Sequence, residues 1–413
     1  MQTPTLHRRW GLPATFSSLR HRNFQLLWFG SVVSSSGDWM DQIAFNWLVY
    51  QLTGSAVYLA ITNLCRMAPI LVFTLIGGVV ADRVERRRLM FTTQAAAMLM
   101  ALVLAILVTT NLVQVWMVLA IAIGRGIMMS FNQPARQSLI SELVPREHLM
   151  NAIALNSATH NLTRITGPAI GGLLITTVGV AGAFYFNAAS FLAVLYALAL
   201  MRFAERPRRA NQKSMLSDLT GGIRYLRAQP ELRTLVLLSL LPLVFGTPYM
   251  TMLTVFAQDV LNVGSTGLGL LSASSGAGAM VGALVVASRS SDGGRRGWVM
   301  LLCLVGYGLA LSLFSFSDWF WLSLVALIGV GGAQQTYNAL NNTLLQERVD
   351  EEYRGRVLST LFLNRGMVPL GTMIAGFGTE VFGPQIAMGA MGATLVVMAL
   401  VAAKLAPTVR RLG

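Results

Sequence analysis

Residues 56–110 read AVYLAITNLCRMAPILVFTLIGGVVADRVERRRLMFTTQAAAMLMALVLAILVTT. Two apolar runs flank the polar link Asp82-Arg83-Val84-Glu85-Arg86-Arg87-Arg88. Each run holds about 20 residues, and at about 1.5 Å per helical residue it crosses the roughly 30 Å hydrocarbon core of a bilayer. The link carries positive charge, as loops retained on the cytoplasmic side do. This unit of span, short basic loop and span recurs along the chain. Apolar spans fall at 24–50, 56–80, 89–110, 113–131, 150–176, 181–203, 234–258, 265–288, 298–316, 319–345, 356–382 and 385–405. The expected fold is an all-α membrane protein of twelve transmembrane helices in two pseudo-symmetric six-helix bundles.

Composition agrees with that pattern. Of the 413 residues, 54% are apolar and 12% charged, against about 25% charged in a soluble domain. So few polar side chains do not cover a water-soluble globule. The net charge of +14 is placed as topology requires and does not point to nucleic acid. Of the 31 basic residues, four lie inside spans away from their ends: Arg66, Arg125, Arg164 and Arg365. The others occupy the N-terminus and alternate loops, including Arg136 and Arg146 in the 4–5 loop and Arg289, Arg295 and Arg296 in the 8–9 loop. The opposite loops carry acids such as Asp259, Asp318 and Glu380. By the positive-inside rule both termini, residues 82–88 and residues 204–233 are cytoplasmic, while residues 51–55, 111–113 and 177–181 face outside. No cleavable signal peptide is expected in the polar, basic stretch Met1 to Arg22.

The chain divides into a cytoplasmic N-terminus (1–23), a six-helix bundle (24–203), a cytoplasmic connector (204–233), a second bundle (234–405) and a cytoplasmic tail (406–413). The connector holds an amphipathic surface helix near Met215–Arg227, with Leu216, Leu219, Ile223 and Leu226 at helical spacing. The bundles read as a parallel duplication. Glu142-x-Val144-x-x-Glu147 recurs as Glu347-x-Val349-x-x-Glu352, and Gly171 recurs as Gly376 at the same offset.

Enzyme motifs are missing from the sequence. A P-loop needs Gly-Lys-Ser/Thr, and neither lysine, Lys213 nor Lys404, follows a glycine. There is no HExxH, and four histidines (His7, His21, His148, His160) do not group as a metal site. Cys65 and Cys303 lie in apolar runs and form no CxxC pair. Ser274-Ser275-Gly276 with His160 is the one conceivable hydrolase pairing, although Gly and Ser also serve close helix packing. The reading is therefore not an enzyme, with no metal and no cofactor.

Gly78 is expected to permit tight packing at the end of span 2. The charged run of the 2–3 loop can then form a network that locks one conformation and releases in another. Gly78, Asp82, Arg83, Arg86 and Arg87 are its candidate gate residues.

The run Gly78…Asp82-Arg83…Arg86-Arg87 resembles the G-x-x-x-D-R-x-G-R-R motif of the major facilitator superfamily, with Glu85 in place of the second glycine. Arg125 falls where that family often has an arginine in span 4, and Met129 stands where a glycine usually follows. In span 5, Gly167-Pro168-Ala-Ile-Gly171-Gly172 is similar to the core of the antiporter motif, with Thr163 replacing its leading glycine. Asn132-Gln-Pro-Ala-Arg136, Leu143-Val-Pro-Arg-Glu147, Gly37-Asp38-Trp39 and Trp47 to Gly54 resemble the drug/proton antiporter branch with macrolide efflux proteins and enterobactin exporters. The resemblance implies secondary transport from the bacterial cytoplasm or inner leaflet, with the proton gradient as energy source and the cytoplasmic (inner) membrane as location. The degenerate 8–9 loop implies that the stronger gate belongs to the first half.

Charges inside spans narrow the candidate site. Asp38 and Asp41 share a face of span 1, which Phe45 extends. By the helical rise, Asp38 lies about 18 Å, Asp41 about 14 Å and Arg66 about 15 Å from the outer ends of their spans. Asp38, Asp41 and Arg66 thus match in depth as a proton-coupling set, with Asp38 the deeper carboxylate. A static ion pair and a proton carrier are both open readings. Asn156, His160 and Arg164 form a polar stripe on span 5 at i, i+4 and i+8. With Arg125 and Arg365 they are candidates for contact with substrate. Arginine keeps its proton in such settings, so these residues suit anions or Asp and not proton carriage.

Three functions fit these features. The first is proton-coupled efflux of an amphipathic small molecule, a drug or a siderophore, by alternating access. The second is a lysophospholipid or lipid flippase of the same fold. The third is a non-transporting membrane sensor or scaffold. The expected partners are a small-molecule substrate and the lipid bilayer, with a monomer as the expected state.

Overall fold

The computed structural model describes residues 14–201, 224–226, 229–288, 296–350, 353 and 364–405. Among them every regular element is helical. The helices are α1 (Arg22–Thr53), α2 (Ala56–Arg83), α3 (Arg86–Thr109) and α4 (Val115–Leu143). The helical stretch Arg146–Leu200 breaks at Gly179, giving α5 (146–178) and α6 (180–200). Then come α7 (Pro230–Val260), α8 (Gly264–Ser288), α9 (Arg296–Ser315), α10 (Phe320–Arg348), α11 (364–382) and α12 (Pro384–Leu405).

Two glycines make the reversals short. Gly54 adopts φ +61° after α1, its N–H bonding Tyr50 O at 2.8 Å, and Ser55 then caps α2 through Val57 N. Gly179 takes φ +78° between α5 and α6, a conformation that costs a side-chain-bearing residue a clash with its own backbone. The hairpin is real: Thr109 meets Tyr185 near one face, and Arg87 meets Ala199 O near the other.

Large apolar side chains such as Leu99, Trp116, Leu173, Leu284 and Val381 point outward. Exposed apolar area of this extent is normal only against lipid. Inside, α1 packs on α5 and α6, α2 on α4, α8 on α10, and α9 on α10 and α12. The halves meet chiefly through two pairs, α2 with α11 and α5 with α8. The duplication exchanges these pairs, α5 corresponding to α11 and α2 to α8.

The hydrogen bonds that join the halves lie, among the described residues, from mid-depth to the face opposite the basic loops. Tyr50 donates to Asp259, and Ser55 donates to Glu380 at 3.0 Å. Thr176 bonds Ser265 at 2.8 Å and Thr266 at 2.7 Å. The described halves are thus closed on that face.

Two expectations are corrected. The fourth span was placed at 113–131, but α4 runs on to Leu143 through Pro134. Neighbouring helices and local adjustment supply partners to the backbone groups a membrane proline frees. Arg136, expected in a loop, is therefore a helix residue. Gly78 was expected to pack tightly, yet a side chain there would meet nothing within 4 Å. The close contact is made by Gly77, whose Cβ would lie 2.4 Å from Ser130 O. Of the surface helix at 215–227, only Arg224–Leu226 falls among described residues, and these are helical. Arg289, Arg295 and the side chains of Asp82, Arg83 and Arg365 also lie outside the described residues.

Candidate functional site

Asp38 stands near the middle of α1, yet its side chain is exposed. Arg66, Arg125 and Arg136 act on it electrostatically, so it faces an open space within the protein and not lipid. Among the described residues it has no salt-bridge partner. Asp41, one turn further, is 5% exposed. Arg125 donates to both its oxygens, Nη1 to Oδ2 and Nη2 to Oδ1, the latter at 3.0 Å. The Arg125 guanidinium also lies 5.2 Å from the Phe45 ring centroid.

The helix carrying Arg125 is brought close by the glycine beside it. A Cβ on Gly126 would fall 2.2 Å from the carbonyl oxygen of Arg66, so α2 and α4 touch backbone to backbone at this level. Depth alone had matched Arg66 to the aspartates. The fold gives Asp41 to Arg125, while Arg66 remains within electrostatic range of both acids.

Arg136 completes the cluster. Its Nη2 donates to Asn156 Oδ1 at 3.2 Å, and its Nε is buried without a partner. Asn156 thereby joins the charged group. His160, on the same face of α5, is exposed and sits 5.8 Å from the Trp39 ring. Arg164 points the other way along the stripe, across the boundary between halves, with Nη2 at 3.5 Å from Gln334 Oε1 of α10. Arg164 also lies close enough to Tyr249 of α7 to act on it electrostatically, and the Tyr249 hydroxyl is bonded to Ser275. That last bond occupies the serine considered for hydrolysis. Of Arg365 only the backbone is described, in the 3-10 turn that opens α11.

The glycine motif of α5 fixes the site's floor. A Cβ at Gly167 would lie 2.5 Å from Trp39 Cβ, one at Gly171 2.8 Å from Met40 Cα, and one at Gly172 2.4 Å from Ser265 O. The carbonyl of Pro168 likewise crowds Gly269. The motif lets α5 wedge between α1 and α8. At the basic face, Arg86 of α3 pairs with Glu142 of α4, and Arg87 donates to Ala199 O at 3.0 Å. His21 and His148 share a hydrogen bond of 2.9 Å that ties the N-terminal segment to α5, and burial beside His148 holds the His21 pKa below its ordinary value.

Sequence reasoning missed Tyr249, Tyr307 and Gln334. Nothing distinguishes a tyrosine in an apolar span until its neighbours are known. The prolines at 242 and 248 were the available signal, since α7 is interrupted there by the π-turn Pro242–Gly246, a distortion frequent at functional sites.

Comparison with known proteins places this geometry. The sequence model of the family described as "Transmembrane secretion effector" matches residues 13–410. The multidrug efflux pump Tap of Mycolicibacterium fortuitum is 30% identical over 402 residues, covering 94% of this chain and 96% of the pump. The staphyloferrin A transporter of Staphylococcus aureus is 27% identical over 368 residues, 88% of this chain and 91% of that protein. Among solved structures, a bacterial homolog of the human lysosomal transporter Spinster, inward-facing and unoccupied, aligns with a TM-score of 0.74 at 15% identity, covering 97% of this chain and 98% of that one. Helical architecture, paired inter-half contacts and near-full-length matches agree: the chain is a multi-pass membrane transporter and belongs to the transmembrane secretion effector family of the major facilitator superfamily.

Proposed function

We propose that this protein is a proton-coupled exporter of amphipathic small molecules, working by alternating access in a bacterial cytoplasmic membrane with both termini cytoplasmic. The names of its relatives, efflux pumps and a siderophore transporter, support the direction and the substrate class. The observation that carries proton coupling is the unequal state of two neighbouring aspartates. Asp41 is locked by Arg125 and serves structure, whereas Asp38 is exposed at mid-span and unpaired among the described residues.

A carboxylate at such depth is functional by default. Asp38 takes a proton when the cavity faces the acidic outside and releases it when the cavity faces the cytoplasm. Substrate loads in the cytoplasm-facing state and leaves on the other side. The bonds of Tyr50 to Asp259 and Ser55 to Glu380 close the outer face, and the 2–3 loop with Asp82, Arg83, Arg86 and Arg87 gates the inner one.

Everted membrane vesicles with an acid lumen test this reading. They should accumulate an amphipathic fluorescent dye, and nigericin, which collapses the pH gradient, should release it. Accumulation indifferent to nigericin contradicts proton coupling. Transfer of a labelled lysophospholipid without any dye transport supports a flippase instead.

A further inference from the structure

Arg164 differs from the other arginines at this depth. Arg125 is neutralised by Asp41, and Arg66 and Arg136 lie within the field of Asp38. Among the described residues Arg164 faces neutral groups in the opposite half: the amide of Gln334, 8% exposed, at 3.5 Å, and the phenol of Tyr249. Among the described residues no carboxylate lies within ion-pair distance of it. Around Arg125 and Arg164 together, four arginines stand against two aspartates, so the interior carries an excess of positive charge.

A second observation points to a ligand. The hydroxyl of Tyr307 on α9 is fully buried and has no hydrogen-bond partner among the described residues. It lies near enough to Tyr249 and Arg164 to feel both electrostatically. A buried polar group without a partner costs free energy that a fold normally avoids. The backbone around it is also irregular: α7 passes through a π-turn whose last residue, Gly246, packs directly on the Tyr307 hydroxyl.

We propose that Arg164, Gln334, Tyr249 and Tyr307 form a receptor for a carboxylate group on the exported molecule. The guanidinium fork matches a carboxylate bidentately. Gln334 and the two phenols then supply further donors to the same anion. Gln334 and Tyr249 of the second half approach Arg164 of the first. A bound carboxylate takes their place on Arg164, so loading of substrate loosens a contact that holds the halves together at mid-depth. This assignment rests on the exporter reading and specifies one class of cargo for it.

The test compares 2-naphthoate with 2-naphthamide, matched in shape and differing in charge, by calorimetric titration of the full chain in lipid nanodiscs. The wild type should bind naphthoate at least about tenfold more tightly, or about 1.4 kcal/mol. Arg164→Ala should bring that ratio to about one while leaving naphthamide binding in place. Gln334→Glu fills the site with the protein's own carboxylate and should do the same without removing the arginine, which covers the case in which Arg164→Ala does not fold. No preference in the wild type, or a preference that survives both substitutions, overturns the receptor. Dye export by the wild type in vesicles is read separately. Export without naphthoate preference leaves the exporter reading standing and removes the receptor, and the converse result removes the exporter reading alone.

Discussion

In the first half Arg86, at the start of α3, reaches Glu142 near the end of α4. In the second half Arg296, at the start of α9, reaches Glu347 near the end of α10 at 2.7 Å. The two glutamates open the repeated Glu-x-Val-x-x-Glu sequence, so the duplication visible in the sequence is a duplicated brace. The inter-half contacts repeat too, α5 against α8 answering α11 against α2. The interiors differ. The first half places Asp38, Asp41, Arg66, Arg125, Arg136 and Arg164 at depth. The second places the buried phenols of Tyr249, Tyr307 and Tyr337 with the neutral amides of Gln334 and Asn341. Among the described residues the scaffold is repeated, while the first interior is charged and the second is neutral and polar.

The largest effect that can test this contrast comes from the Asp41–Arg125 pair. Arg125→Ala leaves a buried carboxylate without its partner and should cost about 3 kcal/mol or more, read as a fall in thermal midpoint of the purified protein. The paired change Asp41→Leu with Arg125→Met should recover most of that loss, because replacing both members of a buried pair is often neutral. An undisturbed midpoint in Arg125→Ala would show that the charges of the first half are not structurally committed.

Next in size are the glycine contacts between halves. Gly172→Ala drives a Cβ to 2.4 Å from a backbone oxygen of α8, whereas Gly376→Ala places one less tightly against α2, 2.8 Å from the Ala60 methyl and 2.9 Å from Ala56 O. Overpacking of this kind costs about 1–3 kcal/mol. Disulfide formation between Thr176→Cys and Thr266→Cys should fall roughly tenfold with Gly172→Ala, since about 1.4 kcal/mol is a factor of ten, and less with Gly376→Ala. Equal effects would remove the asymmetry between the two contacts.

Tyr307→Phe deletes a buried hydroxyl that has no partner among the described residues, so it should be neutral or stabilising by up to about 1 kcal/mol. A marked loss of stability would mean that the hydroxyl is satisfied in the empty protein. The smallest effects belong to the braces. Arg86→Ala and Arg296→Ala remove partly exposed pairs and should each cost less than about 1 kcal/mol. Similar small shifts in midpoint support equivalent braces, and a several-fold difference between them breaks the symmetry.

Much of this fold can be read from the sequence because membrane helices are set by length, apolarity and the placement of arginine, all of which are local. The spans at 56–80 and 265–288 meet the observed helices within a few residues. Span 4 was placed at 113–131, whereas α4 runs on through Pro134 to Leu143, since a proline in a helix bundle need not end a helix. Pairing was harder. Helices adjacent in sequence, α1 and α2, suggested Arg66 as the partner of Asp38 and Asp41, but which side of α4 faces α1 depends on the contact between Gly126 and the Arg66 carbonyl. That rotation is a property of packing. The two aspartates look alike in sequence, and only the fold separates the locked one from the exposed one. The tyrosines of the second half gave still less warning, since their meaning lies in what they fail to bond.

On the proposed mechanism Asp38 carries the proton while Asp41 does not. Proteoliposomes holding wild type or Asp38→Asn at equal density, loaded with dye and given a pH gradient, test it directly when gradient-driven transport is measured beside dye exchange at equal pH. The account predicts that Asp38→Asn abolishes the gradient-driven component and leaves exchange close to the wild-type rate. Gradient-driven transport that persists in Asp38→Asn would contradict it.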